Sequence, residues 1–162
     1  KGETPRARVD CAAELLLSAN LPADYVPDAG QRVDLYRRIA LIRTEEQKSD
    51  MLDEMIDRFG EPPEQAVALL DIALLRAKAS EQGISEIKQA DGRLLMTFAD
   101  ADFRRLSALC GDKTYRGRLL LNAGSTPYVS LRLEKGEVPI EMAGELVERY
   151  AETAEKAVSI HT

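Results

Sequence analysis

Histidine and cysteine are scarce in this chain, and their scarcity removes most side-chain chemistry at the outset. Of 162 residues, one is histidine and two are cysteine. His161 stands one residue from the end, so a Ser/His or Cys/His pair has no base within the body of the chain. Cys11 and Cys110 lie far apart and match no zinc-ligand spacing. The expectation for them is two buried thiols in a reducing cytosol. Glycine never gathers into a phosphate-binding loop: neither G-x-G-x-x-G nor G-x-x-x-x-G-K-[ST] occurs. Aromatic residues make up 5% of the chain, and Tyr25, Tyr36, Tyr115, Tyr128 and Tyr150 are not interleaved with basic residues. That scatter argues against a platform for stacking single-stranded bases. No apolar run approaches the ~20 residues that cross a bilayer. The chain opens Lys1-Gly2-Glu3-Thr4-Pro5-Arg6, with neither a methionine nor a secretory signal. The expectation is a fragment of a longer protein, with residues 1–7 a linker or cloning remnant and 159–162 a frayed tail.

What is present suffices for one folded domain over residues 8–158. The chain is 44% hydrophobic and 31% charged, enough apolar surface for a core. Acidic residues outnumber basic ones by 28 to 22, for a net charge of −6. A surface that grips a nucleic-acid backbone needs the opposite balance. Arg37 and Arg38, in "DLYRRIA", are a local basic exception that could attract phosphates or acidic partners, or simply face water.

Periodicity supplies the element order. Residues 8–17, "RVDCAAELLL", alternate and predict a lead strand. Pro22, Pro27 and Gly30 then interrupt the chain. A helix follows, with Val33, Tyr36, Ile39, Ala40 and Ile42 expected inward and Arg32, Arg37 and Arg38 toward water. "TEEQ" (44–47) has the form of a capping box, with Thr44 accepting from an amide one turn on and Gln47 reaching back. The helix it opens places Met51, Leu52, Met55, Ile56 and Phe59 on one side. Glu54, Asp57 and Arg58 fall opposite. Gly60 suits a helix C-terminus, and Pro62 and Pro63 suit the start of another. That next helix, about 63–82, is the most apolar, with Val67, Leu70, Leu74 and Ala77 in one stripe.

After Gly83 the period changes. Residues 84–99 form two short runs around Asp91-Gly92, a hairpin signal. Residues 100–111 predict a short helix with Phe103, Leu106, Leu109 and Cys110 inward. "RGRLLLN" and "YVSLRLE" predict a second strand pair. A long helix then begins at Pro139 and buries Ala143, Leu146, Val147, Tyr150, Ala154 and Val158. The predicted class is α+β: a helical N-terminal half followed by a small antiparallel sheet with two helices packed on it.

Carboxylates are plentiful enough to raise general acid–base chemistry, but they fall at helical spacings on outward faces, where solvation explains them. The reading from residues alone is therefore no catalysis, no cofactor and no metal. One feature stays open between two meanings. Glu54 and Arg58 are four apart with the acid first, the favourable order for an ion pair. The pair is either a solvated salt bridge or part of a charged docking face.

Three segments in order, "LPADYVPDAGQRVDLYRRIA", "EMIDRFGEPPE" and "LLDIALLRAKASEQGI", carry a resemblance. Their patterns are L-P-x-x-Y-V-x-D, R-x-x-x-Y-x-R-I-A, D-R-F-G-x-x-P and G-I-x-x-I, spread over residues 21–87. The chain resembles the C-terminal (TRCF) domain of the bacterial transcription-repair coupling factors (Mfd). Beyond residue 90 the likeness lies in element order alone, and before residue 20 it is weak.

The resemblance implies a cytoplasmic parent protein that is an ATP-driven DNA translocase, with ATP and Mg in a motor upstream. That parent displaces stalled RNA polymerase and recruits UvrA for nucleotide excision repair. It implies that the C-terminal domain is regulatory, docking on a UvrB-like N-terminal module and masking its UvrA-binding surface. Glu54, Asp57 and Arg58 hold the family's docking positions and are expected to be exposed, with no nucleic-acid or membrane contact. The alternative is a constitutive interaction module using the acidic face of the last helix, Glu141, Glu145, Glu148, Glu152 and Glu155.

Overall fold

The computed structural model describes residues 9–160, and side-chain surroundings as far as Ala154. His161, the expected linker at 1–7 and the surroundings of Glu155 and Val158 lie outside that description. The fold is α+β, as expected, with five α-helices and one five-stranded sheet among the described residues. The described residues gather into two compact units, one of residues 16–78 and the other of 9–15 with 79–160.

The first unit is helical: α1 (Ala29–Ile39), α2 (Glu45–Phe59) and most of α3 (Glu64–Glu81). The starts of α1 and α2 are capped by side chains. Asp28 accepts from the Gln31 amide, and Thr44 accepts from the Gln47 amide at 3.1 Å. The Gln47 side chain reaches back one residue further than a strict capping box, accepting from the Arg43 amide. Gly60 ends α2 with φ +84°, a conformation that favours glycine. Leu35, Ile39, Met55, Leu70 and Leu74 form the centre of the core.

The predicted inner face of α1 needs correction. Leu35 is buried, whereas Val33 is 51% and Tyr36 39% exposed, and Ala40 is exposed too. Two apolar sets share the helical period here, and neighbouring elements choose between them. Tyr36 also has polar work at the surface, its hydroxyl accepting from the Leu21 amide at 2.8 Å.

The second unit is a sheet with strand order β1-β2-β3-β5-β4, formed by Ala12–Glu14, Ile84–Ala90, Arg93–Phe98, Leu119–Asn122 (β4) and Tyr128–Arg132 (β5). β2 and β3 are the hairpin predicted at Asp91-Gly92. Both turn residues have positive φ, as a two-residue turn of this kind demands. A bulge between Ile84 and Glu86 restores phase, so that Ile84 and Ile87 are both buried. Helices α4 (Phe103–Cys110) and α5 (Pro139–Ile160) complete the unit. The ring of Tyr150 on α5 packs against Phe98 on β3 with centroids 4.9 Å apart. Phe103, expected inward, is 47% exposed at the first turn of α4, where Asp102 caps the helix.

The sheet is mixed rather than wholly antiparallel, because β1 pairs parallel with β2. Parallel neighbours need a long connection, and here the whole 16–78 unit supplies it. The lead strand is also shorter than the predicted 8–17. Its pairing stops at Glu14 opposite Lys88, close to where β2 turns at Asp91-Gly92.

Candidate functional site

The motif residues of the first unit form one connected framework around the C-terminal turn of α2. The opening loop is fixed from within: Leu21 and Val26 are buried, and Arg32 donates to the carbonyls of Val26 and Pro27. Tyr25 reaches across to α2. Its hydroxyl donates to the Gly60 carbonyl at 2.8 Å and to the Met55 carbonyl at 3.3 Å, and its ring meets Phe59 at 5.8 Å. The Arg58 guanidinium lies 4.9 Å from the Phe59 ring centroid. Loop, turn and helix end thus hold one another in place.

On this framework sits a clamp of charge. Glu54 accepts two hydrogen bonds from Arg38 on α1, both 2.5 Å, and one from Arg58 at 3.0 Å. Arg38 also lies 4.0 Å from Asp34. The paired geometry of guanidinium and carboxylate fixes orientation as well as distance. The Arg38 hydrogen bonds foremost, and then Arg58, hold the Glu54 carboxyl well below its ordinary 4.5, at about 2. Partial burial opposes the shift without reversing it.

Of the three predicted site residues, Asp57 and Arg58 are exposed, but Glu54 is half-buried because Arg38 lies across it. Arg38 therefore belongs to the Glu54 network and not to a separate basic patch with Arg37. Asp57 stands beside the network, exposed, with no polar partner among the described residues. Two arginines, two aspartates and one glutamate leave the face near electrical balance.

A depressed carboxylate pKa contributes stability above the unfolded value, lost as pH falls through the folded one. Glu54 should therefore help the fold above about pH 4.5 and lose that role by about pH 2. The expected result for Glu54→Gln is a lower urea midpoint at neutral pH and a shallower decline from there to pH 2. Some decline should persist, since Asp112 is also held low, chiefly by the Thr114 amide. Parallel curves for variant and wild type would show that the clamp does not couple to folding.

Among the described residues no carboxylate is buried, and no cluster of three or more His, Cys, Asp or Glu could hold a metal ion. Cys11 is buried and Cys110 half-buried, and neither is in a disulfide. Glu145, predicted to be on the wet face of α5, is engaged by Arg149 and by the Tyr115 hydroxyl.

Comparison with known proteins follows the same outline. The TRCF domain family model matches residues 15–109. Transcription-repair-coupling factor of Escherichia coli K12 is 39% identical over 87 residues, 54% of this chain. That of Bacillus subtilis 168 is 31% identical over 101 residues, 62% of this chain. The aligned regions span only 8% and 9% of those two proteins. A crystal structure of the C-terminal domain of transcription-repair coupling factor matches with a TM-score of 0.76 at 20% identity, covering 94% of this chain and 99% of that one. The fold likeness thus extends well past residue 109, where the family match stops. This chain belongs to the TRCF domain family, and its fold is that of the C-terminal domain of transcription-repair coupling factor.

Proposed function

We propose that this chain is a non-catalytic regulatory domain that holds its parent protein in a closed state. It docks through Glu54, Asp57 and Arg58 on a UvrB-like module of the same polypeptide and covers that module's UvrA-binding surface. The parent, on this reading, is an ATP-driven DNA translocase that displaces stalled RNA polymerase and passes the lesion to excision repair.

The observation that carries the proposal is the pre-ordered charged turn. Arg38, Glu54 and Arg58 are fixed by one another, so docking would order few side chains anew. Asp57 is left exposed beside them for a cationic partner. Balanced charges orient a contact and make it sensitive to salt, without maximal affinity. Within one polypeptide the high effective concentration keeps such a contact closed until a competitor favours the open state.

Asp57→Arg is the clean test, because Asp57 has no polar partner inside the described fold. In the full-length protein it should raise UvrA affinity by about tenfold, within the usual range of coupling between sites. Arg58→Glu should act in the same direction. UvrA affinity equal to wild type in both variants would remove the docking role from this face.

A further inference from the structure

The outer face of the sheet carries a groove. Leu94, Met96, Phe98, Val129 and Leu131 point to the buried side of β3 and β5. The alternate residues, Arg93, Leu95, Ser130 and Arg132, therefore occupy the other side. A groove of ≈ 480 Å³ lies there, with Asp91, Arg93, Leu95, Leu120, Tyr128 and Ser130 in its lining. Leu120 is 58% exposed, a large aliphatic side chain left open to solvent. The Tyr128 hydroxyl is held by the Asn122 amide at 3.2 Å.

One pairing in this face is costly unless it is used. Arg93 and Arg132 stand directly opposite each other on β3 and β5. Like charges in that position repel. Arg93 donates to the Ser130 hydroxyl at 3.3 Å, and neither arginine has a carboxylate within ion-pair distance among the described residues. In a chain of net charge −6 this is an unneutralised positive row next to an apolar floor.

We propose that the groove binds an extended acidic peptide segment of a protein partner, with one large aliphatic side chain two positions from a carboxylate. Charge complementarity identifies the acid: it neutralises Arg93 and Arg132, which no carboxylate among the described residues does. The aliphatic side chain covers Leu95, Leu120 and the Tyr128 ring. The spacing follows from the sheet. Arg132 lies two residues beyond Ser130 on β5, and two residues of extended chain span ~6.5–7 Å in both partners. A nucleic acid fits less well. Two arginines neutralise too few phosphates, and the groove offers a single ring for base stacking.

The test is fluorescence anisotropy of the labelled peptide Ser-Glu-Ser-Leu-Ser-Glu-Ser against the 162-residue chain. Saturable binding in the tens-of-micromolar range is expected. Arg132→Glu and Leu120→Asp, both at exposed positions, should each weaken it by about tenfold or more while leaving the far-UV circular dichroism unchanged. Arg93→Glu should do the same where it folds. The peptide with lysine in place of glutamate, and a labelled single-stranded DNA, should not bind. No saturation by roughly 1 mM, equal binding by the variants, or DNA binding lost in the same variants would each overturn the proposal.

Discussion

Leu70→Ala is expected to lower the unfolding free energy by about 3 kcal/mol, within the 2–5 kcal/mol usual for such a cavity. Leu70 is wholly buried among the residues that join α1, α2 and α3. Its side chain therefore loses both its transfer from water and its packing when truncated. For a chain of this size the corresponding fall in Tm is roughly 6–12 °C. Urea denaturation followed by circular dichroism measures it. Leu41→Ala serves as the control, because Leu41 is 68% exposed and should change stability by less than about 0.5 kcal/mol. A loss below about 1 kcal/mol for Leu70→Ala would mean that the helical unit does not depend on this core.

Gly83→Val should have an effect of similar size for a different reason. Gly83 connects α3 to β2 with φ +76°, and its carbonyl accepts from the Ala99 amide at 2.9 Å. A Cβ there would stand 3.1 Å from the Asp100 carbonyl oxygen and 3.3 Å from the Asp100 Cβ. Backbone strain of about 1–2 kcal/mol thus adds to a contact with main chain that cannot swing aside. The expected total is about 3 kcal/mol. Gly92→Ala separates the two contributions. Gly92 has φ +72° but nothing within 4 Å of the added carbon, so strain acts alone. Equal losses at Gly83 and Gly92 would show that the contact with Asp100 is relieved.

Local signals were legible in proportion to how local they are. Asp91-Gly92, the Thr44 cap, Gly60 and Pro139 act within about one turn of their own position, and the turn, cap, helix end and helix start lie where these residues put them. The face of α1 was not legible, because Val33, Tyr36 and Ala40 share the helical period with Leu35, Ile39 and Ile42. Only the elements packed around the helix decide between the two sets. Arg38 escaped the site for a related reason. Its partner Glu54 lies sixteen residues away on another helix, and no spacing rule links the two. The R-x-x-x-Y-x-R-I-A pattern did contain it, and that pattern was the one available signal. The opposed pair Arg93 and Arg132 was further out of reach, since it exists only once the register of β3 against β5 is known.

The parallel strand at the beginning of the sheet has a consequence for the order in which the protein is made. β1 emerges from the ribosome well before its partner β2, from which the entire helical unit separates it. At roughly 5–20 residues per second, the intervening stretch of about seventy residues takes roughly 4–15 s to synthesise. During those seconds the lead strand has no ladder to join. The sheet is thus the last part of the fold to be completed, and its first strand is the oldest. A released chain ending before residue 84 should hold a folded helical unit, with a lead strand that has no neighbour to pair with.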